Sequence, residues 1–147
     1  MDNVKVLITE EEIQNKILEL AKQIEKDYEG KELVLLSVLR GGAFFTVDLA
    51  KRIKNRMKLE FLEVTSYEEG TVGSDKIKLH KDISGTIEGK DILVVEDIID
   101  TGNTLKYLID FLKNKKPSSV KLCTLLSKPS RRTVDINVDY LRIWNTK

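Results

Sequence analysis

Apolar residues along this chain change rhythm from one stretch to the next, and each rhythm predicts an element. Ile13, Ile17, Leu20, Ala21 and Ile24 recur at helical spacing behind a Thr9/Glu12 capping box, which predicts a helix from about residue 10 to about residue 27. Leu33 to Leu39 form an apolar run of buried-strand type, and Phe44, Val47, Leu49, Ala50 and Ile53 return to helical spacing. Leu59 to Ser66 read as a second strand, and alternation resumes from Lys76 to Leu79. Ile92 to Val95 suit a strand buried on both faces, while Leu105, Leu108, Ile109 and Leu112 supply the face of a helix packed on it. Val120 to Leu126 make a further core strand and Tyr140 to Trp144 a short last one. Alternating helices and strands predict an α/β fold, a doubly wound and mainly parallel sheet flanked by helices, with residues 1–147 as a single domain.

Composition narrows the class. The chain has 147 residues, 41% hydrophobic and 33% charged, enough for one real core. Its net charge of +1 sets up no overall field for nucleic acid or a membrane surface. The lone Cys123 lies in an apolar run and reads as a buried thiol, and the lone His80 leaves no His/Cys cluster for zinc. Neither a signal peptide nor a membrane-length apolar stretch is visible, so a cytoplasmic protein is expected.

The chemistry concentrates where the Ile92–Val95 run meets charge. Ligands of open α/β sheets bind beyond the carboxyl ends of the strands, so Glu96 and Asp97 fall at the favoured place for functional groups. Thr101, Gly102, Asn103 and Thr104 follow, small or polar residues whose N–H groups and hydroxyls can converge on an anion. A helix starting there adds unsatisfied N–H groups and the positive end of its dipole, which suits a phosphate monoester. The carboxylates suit ribose hydroxyls, or a hard cation such as Mg²⁺ bridging to a diphosphate. Upstream, Arg40 followed by Gly41 and Gly42 at a strand end can neutralise a diphosphate while backbone comes close to it; a plain glycine turn with a surface arginine is the alternative. Lys128, just past a strand end and before Pro129, can donate to a carbonyl oxygen or simply belong to a solvated basic turn. The polar, glycine-bearing stretch after Tyr67 reads equally as a hairpin loop or a lid.

The run Val94-Val95-Glu96-Asp97-Ile98-Ile99-Asp100-Thr101-Gly102-Asn103-Thr104 resembles the 5-phosphoribosyl-1-pyrophosphate (PRPP) motif of the phosphoribosyltransferases, and Leu39-Arg40-Gly41-Gly42 is similar to the pyrophosphate loop of their hypoxanthine-guanine branch. The resemblance implies a type I phosphoribosyltransferase fold with a small or incomplete hood, and a Leu39–Arg40 peptide that is cis. It implies purine salvage, in which hypoxanthine or guanine is joined to PRPP to give IMP or GMP and pyrophosphate. By the same resemblance Glu96 and Asp97 hold Mg²⁺ and the ribose, Thr101 to Thr104 grip the 5′-phosphate, Asp100 is the general base, and Lys128 reads the 6-oxo group. Ser66 and Tyr67 then sit in the loop that covers the site, with Arg132 a support beside Lys128. A homodimer or homotetramer is implied in the same way. The likeness stops near Val138-Asp139-Tyr140: Leu141 to Lys147 match neither the family's base-stacking aromatic nor its second metal-binding Asp, although Trp144 could stack. A regulatory protein that binds PRPP or nucleotide, or a catalytically idle remnant, are the rival expectations.

Overall fold

The computed structural model describes residues 8–68, 75–83 and 85–144. In chain order the elements are α1 (Glu10–Asp27), β1 (Leu33–Leu39), α2 (Ala43–Ala50), β2 (Met57–Glu68), β3 (Asp75–Lys81), β4 (Asp91–Ile99), α3 (Asn103–Lys113), β5 (Ser119–Ser127), a 3-10 turn (Pro129–Arg131) and β6 (Tyr140–Trp144). The Thr9/Glu12 capping box closes as expected: the Thr9 hydroxyl accepts the Glu12 N–H at 3.1 Å, and α1 begins at once.

Six strands form one sheet in the order β3-β2-β1-β4-β5-β6, parallel throughout except for the antiparallel β2–β3 pair. Strand side chains alternate between faces, and this builds two cores from the same strands. Leu33, Leu35, Leu93, Val95 and Cys123 point to the side of α1 and α2, where Ile17, Leu20, Ile24, Phe45 and Leu49 meet them. Val34, Leu36, Val38, Ile92, Val94 and Leu122 point to the other side and pack on Leu105, Leu108 and Leu112 of α3. Cys123 is a buried thiol within the first of these cores. No helix among the described residues is long and apolar enough to cross a membrane.

Two local readings need correction. The strand expected to stop at Val95 runs on to Ile99, which puts Glu96 and Asp97 inside it rather than after it. Pairing explains the extension. The β1–β4 ladder ends at Ser37 opposite Val95, whereas β4 stays in register with β5 through Ile99 opposite Ser127. Beyond Val95 the strand is therefore bonded on one side only, and the side facing β1 opens as a crevice at the point where sheet order reverses. The second correction concerns α2. Phe44 and Val47 were expected on its core face, yet Phe44 is 87% exposed and Val47 46%. The buried face carries Phe45, Thr46 and Leu49 instead. Thr46 can be buried because its hydroxyl sits 3.0 Å from that of Ser37 and donates to the Gly42 carbonyl at 2.7 Å.

Residues 69–74, on which the choice between hairpin loop and lid falls, lie outside the described residues, although the strands flanking them pair antiparallel. The backbone of Ser66 and Tyr67 lies in β2, opposite Ile77 and Lys76, and that of Trp144 in β6, opposite Ser127. The side chains of these three, and of His80, lie outside the described set.

Candidate active site

The ends of β1 and β4 meet across the crevice. After β1 the chain passes through a Leu39–Arg40 peptide that is cis, as the family resemblance implies, and then Gly41 and Gly42 turn it into α2. Gly42 has ordinary backbone angles, φ −80° and ψ −5°, so its need is for space rather than conformation. A Cβ there would lie 2.9 Å from the Val95 carbonyl oxygen and 3.0 Å from that of Val38, both in the sheet backbone. Gly41 approaches the acidic pair in the same way but less tightly: a Cβ would stand 3.4 Å from Asp97 Oδ1 and 3.5 Å from Glu96 Oε1.

Glu96 and Asp97 crowd each other. Glu96 Oε1 accepts the Asp97 N–H at 2.9 Å, and burial, followed by the hydrogen bond to and charge of the Asp97 carboxyl, pushes Glu96 up to about 8. A carboxyl held protonated only by burial and a neighbouring carboxylate fits a divalent cation, which replaces the proton and relieves the repulsion. The donor set also fits Mg²⁺: two hard oxygen groups, with a diphosphate and water left to complete the shell. No group of three or more metal-binding side chains occurs among the described residues, so Glu96 and Asp97 would hold such an ion only together with its substrate.

The anion loop is built from both sides. Gly102 takes φ +90°, a conformation that favours glycine, and starts α3 as its N-cap. Its back is packed: Val134, Arg132 and Ile136 atoms lie 3.3–3.4 Å from where a Cβ would be. The Thr133 N–H donates to the Thr101 carbonyl at 3.0 Å and the Thr133 hydroxyl to Asn103 Oδ1 at 3.1 Å. The Asn103 side chain is thus tied behind the loop, and the Asn103 N–H donates to Thr101 Oγ1 at 3.3 Å. The front of the loop faces a cavity of about 250 Å³, where Thr101, Gly102 and Thr104 stand with Glu96 and Asp100, walled by Val38 and Leu105. The cavity opens beside Glu96 rather than Asp97.

The third side of the site comes from β5. The Lys128 N–H continues the ladder by donating to the Ile99 carbonyl at 3.0 Å, which sets Lys128 beside Asp100. Arg132 spends its guanidinium on protein: Nη1 donates to the carbonyls of Ile99 (3.2 Å), Asp100 (2.8 Å) and Lys128 (3.1 Å), and Nη2 to Ser127 Oγ. These bonds make Arg132 a clamp between the ends of β4 and β5, beside Lys128.

Two charges that complete the picture were not singled out from sequence. Arg40 Nε donates to Glu63 Oε2 at 3.3 Å, beside an open cavity of about 660 Å³ that includes Val64 and Thr65. Arg131 Nε donates to Asp100 Oδ1 at 2.9 Å, and this bond holds the Asp100 carboxyl below the usual carboxylate range. Glu63 becomes visible only once β2 is in register, because it lies opposite Leu39 on β1. Arg131 could have been flagged by its place in the basic turn with Lys128 and Arg132.

Known proteins resemble this chain in sequence and fold. The family model described as "Phosphoribosyl transferase domain" matches residues 8–146. The chain is 44% identical over 140 residues to a hypoxanthine-guanine phosphoribosyltransferase of Staphylococcus aureus, covering 95% of this chain and 78% of that protein. It is 47% identical over 140 residues to the bifunctional protein TilS/HprT of Listeria monocytogenes, covering 95% of this chain but spanning only 22% of that protein's length. Among solved structures, a hypoxanthine-guanine phosphoribosyltransferase of Bacillus anthracis with a HEPES molecule in its active site superposes with a TM-score of 0.92 at 44% identity, covering 99% of this chain and 86% of that one. A hypoxanthine phosphoribosyltransferase of Trypanosoma cruzi in a ternary substrates complex gives 0.87 at 41% identity, covering 93% and 79%. On the family match and these identities, the chain belongs to the phosphoribosyltransferase family, in its hypoxanthine-guanine branch.

Proposed function

We propose that this chain transfers the 5-phosphoribosyl group of PRPP to hypoxanthine or guanine, forming IMP or GMP and pyrophosphate in purine salvage. The observation that carries the reading is the crevice between β1 and β4, where a glycine loop, two crowded carboxylates and the N-terminus of α3 face one another. These are the complements of a diphosphate, a ribose and a phosphate monoester.

In the reaction the bond from the anomeric carbon to pyrophosphate oxygen breaks, a bond to a purine ring nitrogen forms, and the proton of that nitrogen leaves. The N–H groups of Gly102, Asn103 and Thr104, with the hydroxyls of Thr101 and Thr104, grip the 5′-phosphate and fix the sugar in position. Glu96 and Asp97 accept from the ribose hydroxyls and favour the positive charge that develops on the ring. Asp100 takes the purine proton as general base, and Lys128 donates to the 6-oxo group, which distinguishes oxopurines from adenine. Arg40 and the Gly41 backbone receive the departing diphosphate. Mg²⁺, held by Glu96 and Asp97, would supply positive charge to the diphosphate. Ser66 and Tyr67, near the end of β2 rather than in a loop, help to cover the site in this reading, and the chain works in the cytoplasm as a homodimer or homotetramer.

The test mixes the chain with PRPP, Mg²⁺ and each purine in turn and follows nucleotide formation. Turnover with hypoxanthine or guanine and none with adenine is expected. PRPP binding without any product would refute the transferase reading and leave a PRPP-binding regulatory protein.

A further inference from the structure

We infer that Arg131 is a positioning residue for the general base: its guanidinium holds the Asp100 carboxylate by one oxygen and turns the other toward the purine. This rests on the reading of Asp100 as the base.

The geometry is specific. Asp100 leaves the sheet one residue after β4, on a loop, with an exposed side chain. Arg131 reaches it from the 3-10 turn after β5, Nε to Oδ1 at 2.9 Å. That turn is anchored to the same loop, because Arg132 bonds the carbonyls of Ile99 and Asp100 while Thr133 bonds that of Thr101. Arg131 is therefore carried on a platform fixed relative to the residue it holds. A single Nε contact occupies one carboxylate oxygen and leaves Oδ2 for the purine proton, where a side-on, two-toothed pair would have occupied both.

The charged groups bearing on Asp100 are Arg131 from the 3-10 turn, Lys128 from the end of β5 and Arg132 beyond the turn, all cationic. Arg131 is the one that touches the carboxylate, and its hydrogen bond is the largest influence holding Asp100 ionised. The arrangement trades base strength for readiness: the carboxylate accepts a proton less avidly but stands deprotonated and aimed over a wider pH range. The sign follows. Removing Arg131 raises the Asp100 pKa, so activity falls away at a higher pH on the acid side.

Two readouts on the full chain separate this inference from the reading beneath it. With ¹³C-labelled aspartate, the Asp100 carboxyl resonance, assigned through Asp100→Asn, is titrated in the unaltered protein and in Arg131→Ala. The resonance should titrate at higher pH in the variant, with Arg131→Lys in between. The acid limb of kcat/KM should move up in parallel, and kcat should fall several-fold at neutral pH while the KM for PRPP stays level. A carboxyl that titrates identically in both proteins overturns the inference, whatever the activity does. A carboxyl that moves while the acid limb stays still removes Asp100 as base and ends the positioning role assigned to Arg131.

Discussion

Gly41 and Gly42 stand side by side in the same loop, yet the same methyl group added to each should fail in different ways. At Gly42 the new Cβ meets two backbone carbonyl oxygens at 2.9 and 3.0 Å, and Glu96 Oε1 at 3.3 Å. Neither carbonyl can move freely: the Val38 oxygen already accepts the Gly42 N–H at 3.0 Å, and Val95 lies at the last paired position of the β1–β4 ladder. Because Gly42 has φ −80°, alanine carries no conformational penalty, and the whole cost is steric. Overpacking of this kind costs about 1–3 kcal/mol. At roughly 2–4 °C per kcal/mol for a domain of this size, Gly42→Ala should lower the Tm by about 2–12 °C. At Gly41 the contacts are 3.4 and 3.5 Å, and both are to side-chain oxygens. Gly41→Ala should therefore melt within about 0.5 kcal/mol of the unaltered chain. Its methyl would instead stand against Asp97 Oδ1 and Glu96 Oε1, on the side assigned above to the metal diphosphate. Magnesium-PRPP affinity should fall about tenfold, equivalent to roughly 1.4 kcal/mol. Differential scanning calorimetry and titration calorimetry with PRPP and Mg²⁺ measure the two effects. A Gly42→Ala protein that melts normally, or a Gly41→Ala protein that binds PRPP normally, would refute the geometry from which both numbers come.

Glu96, pushed up to about 8, should release a proton when Mg²⁺ and PRPP bind at neutral pH, so calorimetric heats should depend on the buffer's ionisation enthalpy and the dependence should vanish in Glu96→Gln. The same group costs the fold nothing below about 4.5, where folded and unfolded states are both protonated, and its cost grows as pH rises toward about 8; Glu96→Gln should flatten that decline in denaturant titrations followed across pH. Glu63→Gln frees Arg40 from a solvent-exposed ion pair of a kind worth about 0–1 kcal/mol, so pyrophosphate with Mg²⁺ should bind up to about fivefold more tightly, and Arg40→Ala should abolish the gain. Arg132→Ala strips hydrogen bonds from three carbonyls between the β4 and β5 loops; a loss of about 1–3 kcal/mol in denaturant unfolding is expected, with turnover reduced alongside.

The elements whose signal lies within a few neighbouring residues were legible from sequence. The capping box set the start of α1, and the apolar run of Leu33 to Leu39 set β1 to the residue. The run from Glu96 to Thr104 was also legible as a candidate site, and the structure brings Glu96, Thr101, Gly102 and Thr104 to one cavity at the β4–α3 junction. What escaped depended on partners distant in the chain. Glu96 and Asp97 look like the end of a strand because they are charged, and only the pairing with β5 shows that the strand continues through them. Thr46 looks like a surface residue until Ser37 and Gly42 are found waiting for its hydroxyl, and with that contact α2 turns Phe44 outward. Glu63 and Arg131 were invisible as partners for the same reason: each meets its opposite charge across 23 and 31 residues of chain.

A crystal structure of the chain with PRPP and Mg²⁺ would show whether the β1–β4 crevice is the PRPP site. The 5′-phosphate should lie within hydrogen-bond reach of the Gly102, Asn103 and Thr104 N–H groups, the ribose hydroxyls on Glu96 and Asp97, and the diphosphate against Gly41 with Arg40 released from Glu63. PRPP bound elsewhere, or a 5′-phosphate held away from the start of α3 with the β1–β4 crevice still empty, would contradict the account.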